Sequence, residues 1–266
     1  MMKFICFGSG SSGNCYYLFT QETGLLIDAG VGLRTIKKHF KDRELPIRHV
    51  KHVLVTHDHA DHIKSVGLLS AELDANVYTT EKVHEGIEQN YVVRCKITPE
   101  KKRFIEKNKT LELGDFSVTA FSVPHDSHDC VGYRIEHEGC VFVLMTDVGY
   151  VTDEIKQFIA DANYLVIEAN HDKEMLRQGP YPEYLKTRIM SQLGHLNNHD
   201  CAEAIAGNAT QKLRHVWLCH LSEENNHPEL ARKTVESILR SYGIVTGKDF
   251  FLDVLKRKTP SMTYEL

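Results

Sequence analysis

The chain has 266 residues, 42% hydrophobic and 26% charged, with only seven prolines, a composition that excludes intrinsic disorder and suits a globular protein. That length can bury the core of one large α/β domain over residues 1–266; nothing in the sequence reads as a dividing linker. A net charge of −4 argues against a general nucleic-acid coat protein but leaves room for a local basic track. No apolar run approaches the length of a membrane span, so no membrane partner is expected. Met1-Met2-Lys3-Phe4 runs into a strand-like pattern without a cleavable signal, and the expected location is cytoplasmic. The seven cysteines are scattered, odd in number and lack a Cys-x-x-Cys pair, which reads as reduced thiols.

Strands are predicted at 3–7, 15–20 and 24–28, with no helix between them. Between the first two, Gly8-Ser9-Gly10-Ser11-Ser12-Gly13-Asn14 has two readings. Its backbone N–H groups and hydroxyls could converge on an anion, or it could be a tight turn. Ser11, Ser12 and Asn14 are therefore candidate substrate contacts. A helix follows at 32–41, then a strand at 51–56, a helix at 62–73, a strand at 76–79 and a helix at 80–90. Residues 94–109 carry seven Lys or Arg against two Glu, and a basic, poorly periodic loop is expected there. Strands at 116–123, 131–137, 140–146 and 163–168, helices at 152–162, 182–193 and 199–208, and a strand at 215–220 come next. The helix at 228–242 starts with Pro228 and stops at Gly243, before a last strand at 250–254. These are too many strands for a simple doubly wound sheet, and two sheets with helices outside fit better.

The chemistry is concentrated in Thr56-His57-Asp58-His59-Ala60-Asp61-His62, directly after an apolar run. Histidines at i and i+2 project to one side of an extended segment, with Asp61 and His62 a turn further on. Such a quartet is too polar to bury without a cation. Four more polar residues each follow a strand-like run: Asp28, His125, Asp147 and His220. The carboxyl ends of strands form the rim on which α/β sites are built, so these independent arrivals add weight. His128 is the less suitable ligand beside His125, which sits at the strand end in Val-Pro-His. A donor set without thiolate suits two divalent ions of the Zn or Mn type, with Fe possible. Two such ions about 3.5–4 Å apart can hold a bridging water and lower its pKa toward ~7, the basis of hydrolysis by in-line displacement.

In their order, Asp28 in Ile-Asp-Ala-Gly, His57/His59/Asp61/His62, His125, Asp147 and His220 resemble the metallo-β-lactamase-fold hydrolases, a four-layer αββα sandwich. The resemblance implies that His57, His59 and His125 hold one metal and that Asp61, His62 and His220 hold a second. Asp147 would bridge them, and Asp28 would support the ligand loop. Glu168 in Ile-Glu-Ala-Asn-His and His195 in Gly-His-Leu match a pair found in phosphodiesterase branches such as tRNase Z. Glu168 would keep His195 protonated as a proton donor, so Asp61, Glu168 and His195 are the expected catalytic residues. Together with Tyr181-Pro182 through Lys186 to Arg188 and His220-Leu221-Ser222, these motifs are similar to the YycJ/WalJ group, regarded as nucleases acting on DNA. Asn197 stands where Ser is expected after Gly-His-Leu. Tyr181, Lys186 and Arg188 are further candidate phosphate contacts. The expected activity is a metal-dependent phosphodiesterase, an exonuclease on DNA, with a thioester or lactone hydrolase of glyoxalase II type as the alternative.

Overall fold

Apolar runs near the N-terminus form an antiparallel meander of β1 (Lys3–Gly8), β2 (Cys15–Phe19) and β3 (Gly24–Ile27). Parallel strands β4 (Val50–Leu54), β5 (Asn76–Thr79) and β6 (Lys102–Phe104) follow. The computed structural model describes residues 1–266 and divides the chain into two units. The first comprises Met1–Ala120, Ser127–Val131 and Lys256–Leu266; the second comprises Phe121–Asp126 and Gly132–Leu255.

In the first unit the sheet runs β14-β1-β2-β3-β4-β5-β6, closed at one edge by β14 (Tyr264–Glu265). Helices α1 (Leu33–Asp42), α2 (Ala60–Ile63), α3 (Val66–Leu73) and α4 (Glu81–Gln89) connect its parallel strands. The core holds Phe7, Tyr17, Leu26, Phe40, Val53 and Val77, all under 2% exposed. Tyr17 stacks on Phe19 at 4.6 Å between ring centroids.

The second sheet has the order β13-β12-β11-β10-β9-β8-β7. Its strands are β7 (Thr110–Leu113), β8 (Phe116–Ser122), β9 (Val131–His137), β10 (Cys140–Met145), β11 (Tyr164–Glu168), β12 (His215–Cys219) and β13 (Phe251–Val254). β9 and β10 are antiparallel, and β10 to β13 are parallel. In the second unit α5 (Asp153–Asp161), α6 (Lys173–Gln178), α7 (Glu183–Ile189), α8 (Asn198–Asn208) and α9 (Pro228–Ser241) accompany those strands. There α8 packs on both α5 and α9. Uninterrupted apolar runs such as Leu165-Val166-Ile167, fully buried, are what a parallel strand covered on both faces requires.

Two sequence expectations need correction. The helix predicted at 62–73 breaks into α2 and α3, because the Ser65 N–H donates to the Ala29 carbonyl at 2.8 Å instead of continuing one helical ladder. The 94–109 segment is not a free basic loop. It contains a short 3₁₀ turn and β6, and most of its cations are spent within the fold. Lys101 pairs with Asp74, Lys102 with Glu88 and Lys109 with Glu106. Lys107 pairs with Asp129 at 2.6 Å, while Lys96 donates to the carbonyls of Ile87 and Asn90.

The loops that will carry the site are laced together by backbone. Ala29 N–H donates to the His62 carbonyl at 2.7 Å, Asn14 N–H to the Asp61 carbonyl at 2.8 Å, and Gly30 N–H to the Asn14 carbonyl at 2.9 Å. A Cβ on Gly30 would fall 1.6 Å from the Asp61 carbonyl oxygen, so only glycine allows this approach. Gly30→Ala should cost about 1–3 kcal/mol or more in urea denaturation. Gly207→Ala, in an exposed part of α8 with nothing within 4 Å of the added methyl, should instead stabilise by about 0.5–1 kcal/mol.

Candidate metal centre

In the first unit the cluster sits where β3 and β4 end. Asp28, the residue after β3, is fully buried in the left-handed region with φ of 61°. Its Oδ1 accepts the Thr56 N–H at 2.8 Å, and its Oδ2 accepts the Thr56 hydroxyl at 2.9 Å and His62 Nδ1 at 2.7 Å. A carboxylate only accepts, so His62 Nδ1 carries the proton and its Nε2 presents the lone pair. The Thr56 hydroxyl has one proton, given to Asp28, so at 3.0 Å it accepts from His57 Nδ1. His57 is thereby fixed in the same tautomer. The His57 ring centroid lies 4.7 Å from that of His59 and 4.1 Å from that of His62, and Asp61 Oδ2 lies 3.6 Å from His62 Nε2.

Asn14 belongs to this cluster as a support. Its Oδ1 accepts the Gly10 N–H at 2.8 Å, while its Nδ2 donates to Asp61 Oδ2 at 3.2 Å and His62 Nε2 at 2.9 Å. The glycine-serine run is a turn held by the bond from Gly13 N–H to the Gly10 carbonyl, with Ser11 and Ser12 exposed at its tip. Asp58 points elsewhere and binds His128 Nδ1 at 2.6 Å. Nothing in the linear pattern separates that role from those of its neighbours.

The second unit carries its own cluster at the ends of β8, β10, β11 and β12. His125 Nδ1 donates to the Gly194 carbonyl at 3.0 Å, an acceptor that again leaves Nε2 with the lone pair, 3.7 Å from Asp147 Oδ1. Asp147 and His220 follow their strands in the left-handed region, with φ of 55° and 53°. Such a conformation costs on the order of 1–3 kcal/mol and is kept where surroundings over-determine it. Asp147 Oδ1 stands 3.5 Å from His195 Nδ1 and 3.4 Å from His220 Nδ1.

Glu168, fully buried, is the hub of this second cluster. Its Oε2 accepts the N–H groups of Val148 at 2.7 Å and Leu196 at 3.0 Å. Its Oε1 accepts His195 Nδ1 and His220 Nδ1, each at 2.9 Å. Burial alone would push this carboxyl up, but the His195 charge and the imidazole hydrogen bonds outweigh it and hold it down. For His195 burial works downward, and the Glu168 carboxylate, with a smaller part from Asp147, raises its pKa above the ordinary histidine value. The Glu168–Asn170 turn is pinned by Asn226, whose Nδ2 donates to the carbonyls of Ala169 and Asn170 at 2.9 and 3.1 Å. Asn197 caps α8 by accepting the Asp200 N–H at 3.0 Å, as a serine there would.

Of the remaining candidate contacts, Lys186 is turned inward, bonding the Arg177 carbonyl at 2.8 Å and Glu183 at 3.1 Å. Arg188 is paired with Asp126 through both Nε and Nη2. Tyr181 is half-buried before α7.

Ligand atoms of Asp147, Glu168, His195 and His220 lie within 4.8 Å of one another, a group that could hold a metal ion. His57 in the first unit and His125 in the second each have Nδ1 bound to a protein acceptor, which leaves Nε2 as the atom that could meet a divalent cation; Nε2 of His62 already accepts from Asn14 Nδ2 at 2.9 Å.

A family model described as a beta-lactamase superfamily domain matches residues 23–220, and the chain belongs to that family, as an enzyme of the metallo-β-lactamase-fold hydrolases. It is 38% identical to exodeoxyribonuclease YycJ of Bacillus anthracis, over 98% of this chain and 97% of that one. It is also 38% identical to exodeoxyribonuclease WalJ of Streptococcus pneumoniae D39, over 93% and 92%. Among solved structures, the metallo-β-lactamase fold protein YhfI of Bacillus subtilis aligns with a TM-score of 0.71 at 18% identity, covering 98% of both chains. The α/β sandwich of two mixed sheets with flanking helices is thus the fold of the family. No helix is long and apolar enough to cross a membrane.

His171, beside this cluster, is 1% exposed and its Nδ1 makes no hydrogen bond. Burial pushes its pKa down to about 4. A lowered histidine pKa contributes stability that is full above the unfolded value near 6.5 and is lost as pH falls through the folded one. Between pH 7 and 4 the wild type should lose on the order of 3 kcal/mol more than His171→Gln in urea denaturation. An equal loss in both would contradict the assignment.

Proposed function

We propose that this enzyme is a dinuclear metal-dependent phosphodiesterase, an exonuclease acting on DNA in the cytoplasm, and that residues 1–266 work as one domain. In this reading the two clusters act jointly. His57, His59 and His125 would hold one ion, Asp61, His62 and His220 would hold the other, and Asp147 would be shared between them, with Zn or Mn, or else Fe, as the metal. When bound, such ions supply an acidified water and neutralise the charge on a phosphate during in-line displacement. Asp28 holds His62 and the ligand loop in register. The 38% identity over nearly the whole length of chains named exodeoxyribonucleases supports DNA as the substrate and the exonucleolytic mode.

The observation that carries the phosphodiesterase reading is the Glu168–His195 pair. Glu168, ionised and fixed by two backbone N–H groups, raises the His195 pKa and holds its Nδ1, leaving Nε2–H to donate a proton to a departing alkoxide. An alkoxide is a poor leaving group and needs that proton. A thiolate, the leaving group of a thioester hydrolase, does not, and the pair would then have no task. Ser11, Ser12 and Tyr181 remain the accessible candidates for contact with the strand.

His195→Ala should lower kcat on an end-labelled DNA strand, whose leaving group is an alkoxide, by about 10²–10⁴-fold with Mn or Zn added. An unchanged kcat, or a wild type that turns over thioesters alone, would refute the reading. Because the protonated His195 is the active form, the rate should fall as pH rises through its raised pKa. Glu168→Gln, which removes the charge that raises it, should move that alkaline limb to lower pH.

A further inference from the structure

A groove of about 720 Å³ opens in the first unit between α1, the turn joining α2 to α3, and the loop at residues 91–95. It begins two residues past His62, at Lys64, and two residues past Gly30, whose backbone packs on Asp61. Arg34, Lys37, Lys64 and Arg94 line it, against a single acid, Glu72, which Lys37 already neutralises. Arg34, Lys64 and Arg94 are exposed and make no ion pair.

The charge continues along α1. Arg34, Lys37, Lys38 and Lys41 fall at i, i+3, i+4 and i+7, one face of the helix, while Ile36 and Phe40 are buried on the other. A second depression shares Arg34 and Lys37 and adds Lys38 and Lys41. In a chain with more acidic than basic residues, 36 against 32, such a face is not a consequence of composition. At the mouth of the groove Tyr91 is 88% exposed and Leu68 is 50% exposed, flat and apolar surface beside unpaired cations.

Unpaired cations fit a phosphate backbone, and a bare aromatic ring fits the face of an unpaired base, an offer that a closed duplex cannot take up. We propose that this groove binds a single-stranded segment of nucleic acid, its phosphates along Arg34, Lys64 and Arg94 and a base stacked on Tyr91. The proposal rests on the nuclease reading only in taking that segment to be part of the DNA substrate. The basic track is then on α1 and its neighbours, not in the 94–109 segment, of which Arg94 alone takes part.

The test is fluorescence anisotropy of a labelled oligothymidylate with the full chain in chelator, so that affinity is read without cleavage. Tyr91→Ala should weaken binding by about tenfold and Tyr91→Trp should retain it. The Arg34→Glu/Arg94→Glu double variant should weaken it at least about tenfold at low salt. It should also flatten the slope of log K against log salt by roughly 1.4, about 0.7 for each lost phosphate contact. Wild-type affinity in both Tyr91→Ala and the charge reversal, no binding of the oligonucleotide by the wild type, or duplex preference indifferent to Tyr91 would each overturn the proposal. A wild type that cleaves no phosphodiester, yet whose variants lose affinity as described, would refute the nuclease reading and leave the groove standing.

Discussion

A buried carboxylate that accepts an imidazole N–H is the interaction on which each of the two clusters depends. Asp28 does this for His62 in the first unit, and Glu168 does it for His195 and His220 in the second. Neither carboxylate is exposed, and an isolated ionised carboxyl in such a place would be costly by several kcal/mol. Each is therefore surrounded by donors, Thr56 around Asp28 and the N–H groups of Val148 and Leu196 around Glu168. The consequence for chemistry is orientation. An imidazole that has given its Nδ1 proton to a fixed acceptor can turn only Nε2 outward.

Both sheets supply these groups by a shared plan. An antiparallel portion leads into parallel strands, and the residue just past a strand end is polar and sharply turned. Asp28, Asp147 and His220 all take the left-handed conformation at that point, which bends the chain out of the sheet and places the side chain at the rim. Glycine would adopt this backbone at less cost but offers no donor atom. That strained, buried residues here are Asp and His marks these positions as kept for their side chains.

The parts of the two clusters that could be read in the sequence are those with a local signal. Asp28, His57, His125, Asp147 and His220 each follow an apolar run, and β5 and β9 have the bounds that their patterns predict. The support is less legible because its partners are remote in the chain. Asn14 reaches Asp61 and His62 across 47 and 48 residues, and its place in the glycine-serine run suggests a turn or an anion contact, not a support for the ligand loop. The hub role of Glu168 depends on Val148 and Leu196, 20 and 28 residues away. β6, β7 and β14 have two to four residues each, too few for a period to show, and they form because an edge is there to pair with. Likewise Lys186 and Arg188 look like free cations in the sequence, and only the fold supplies Glu183, the Arg177 carbonyl and Asp126 to occupy them.

The claim that two divalent ions are held jointly by the two clusters is tested most directly by calorimetric titration of the metal-stripped, folded chain with Zn or Mn. The account predicts saturation at two ions per chain, with loss of at least one in Asp147→Ala, the residue assigned to both. A folded preparation that takes up no metal, or an Asp147→Ala chain that still binds two ions with wild-type affinity, would contradict it.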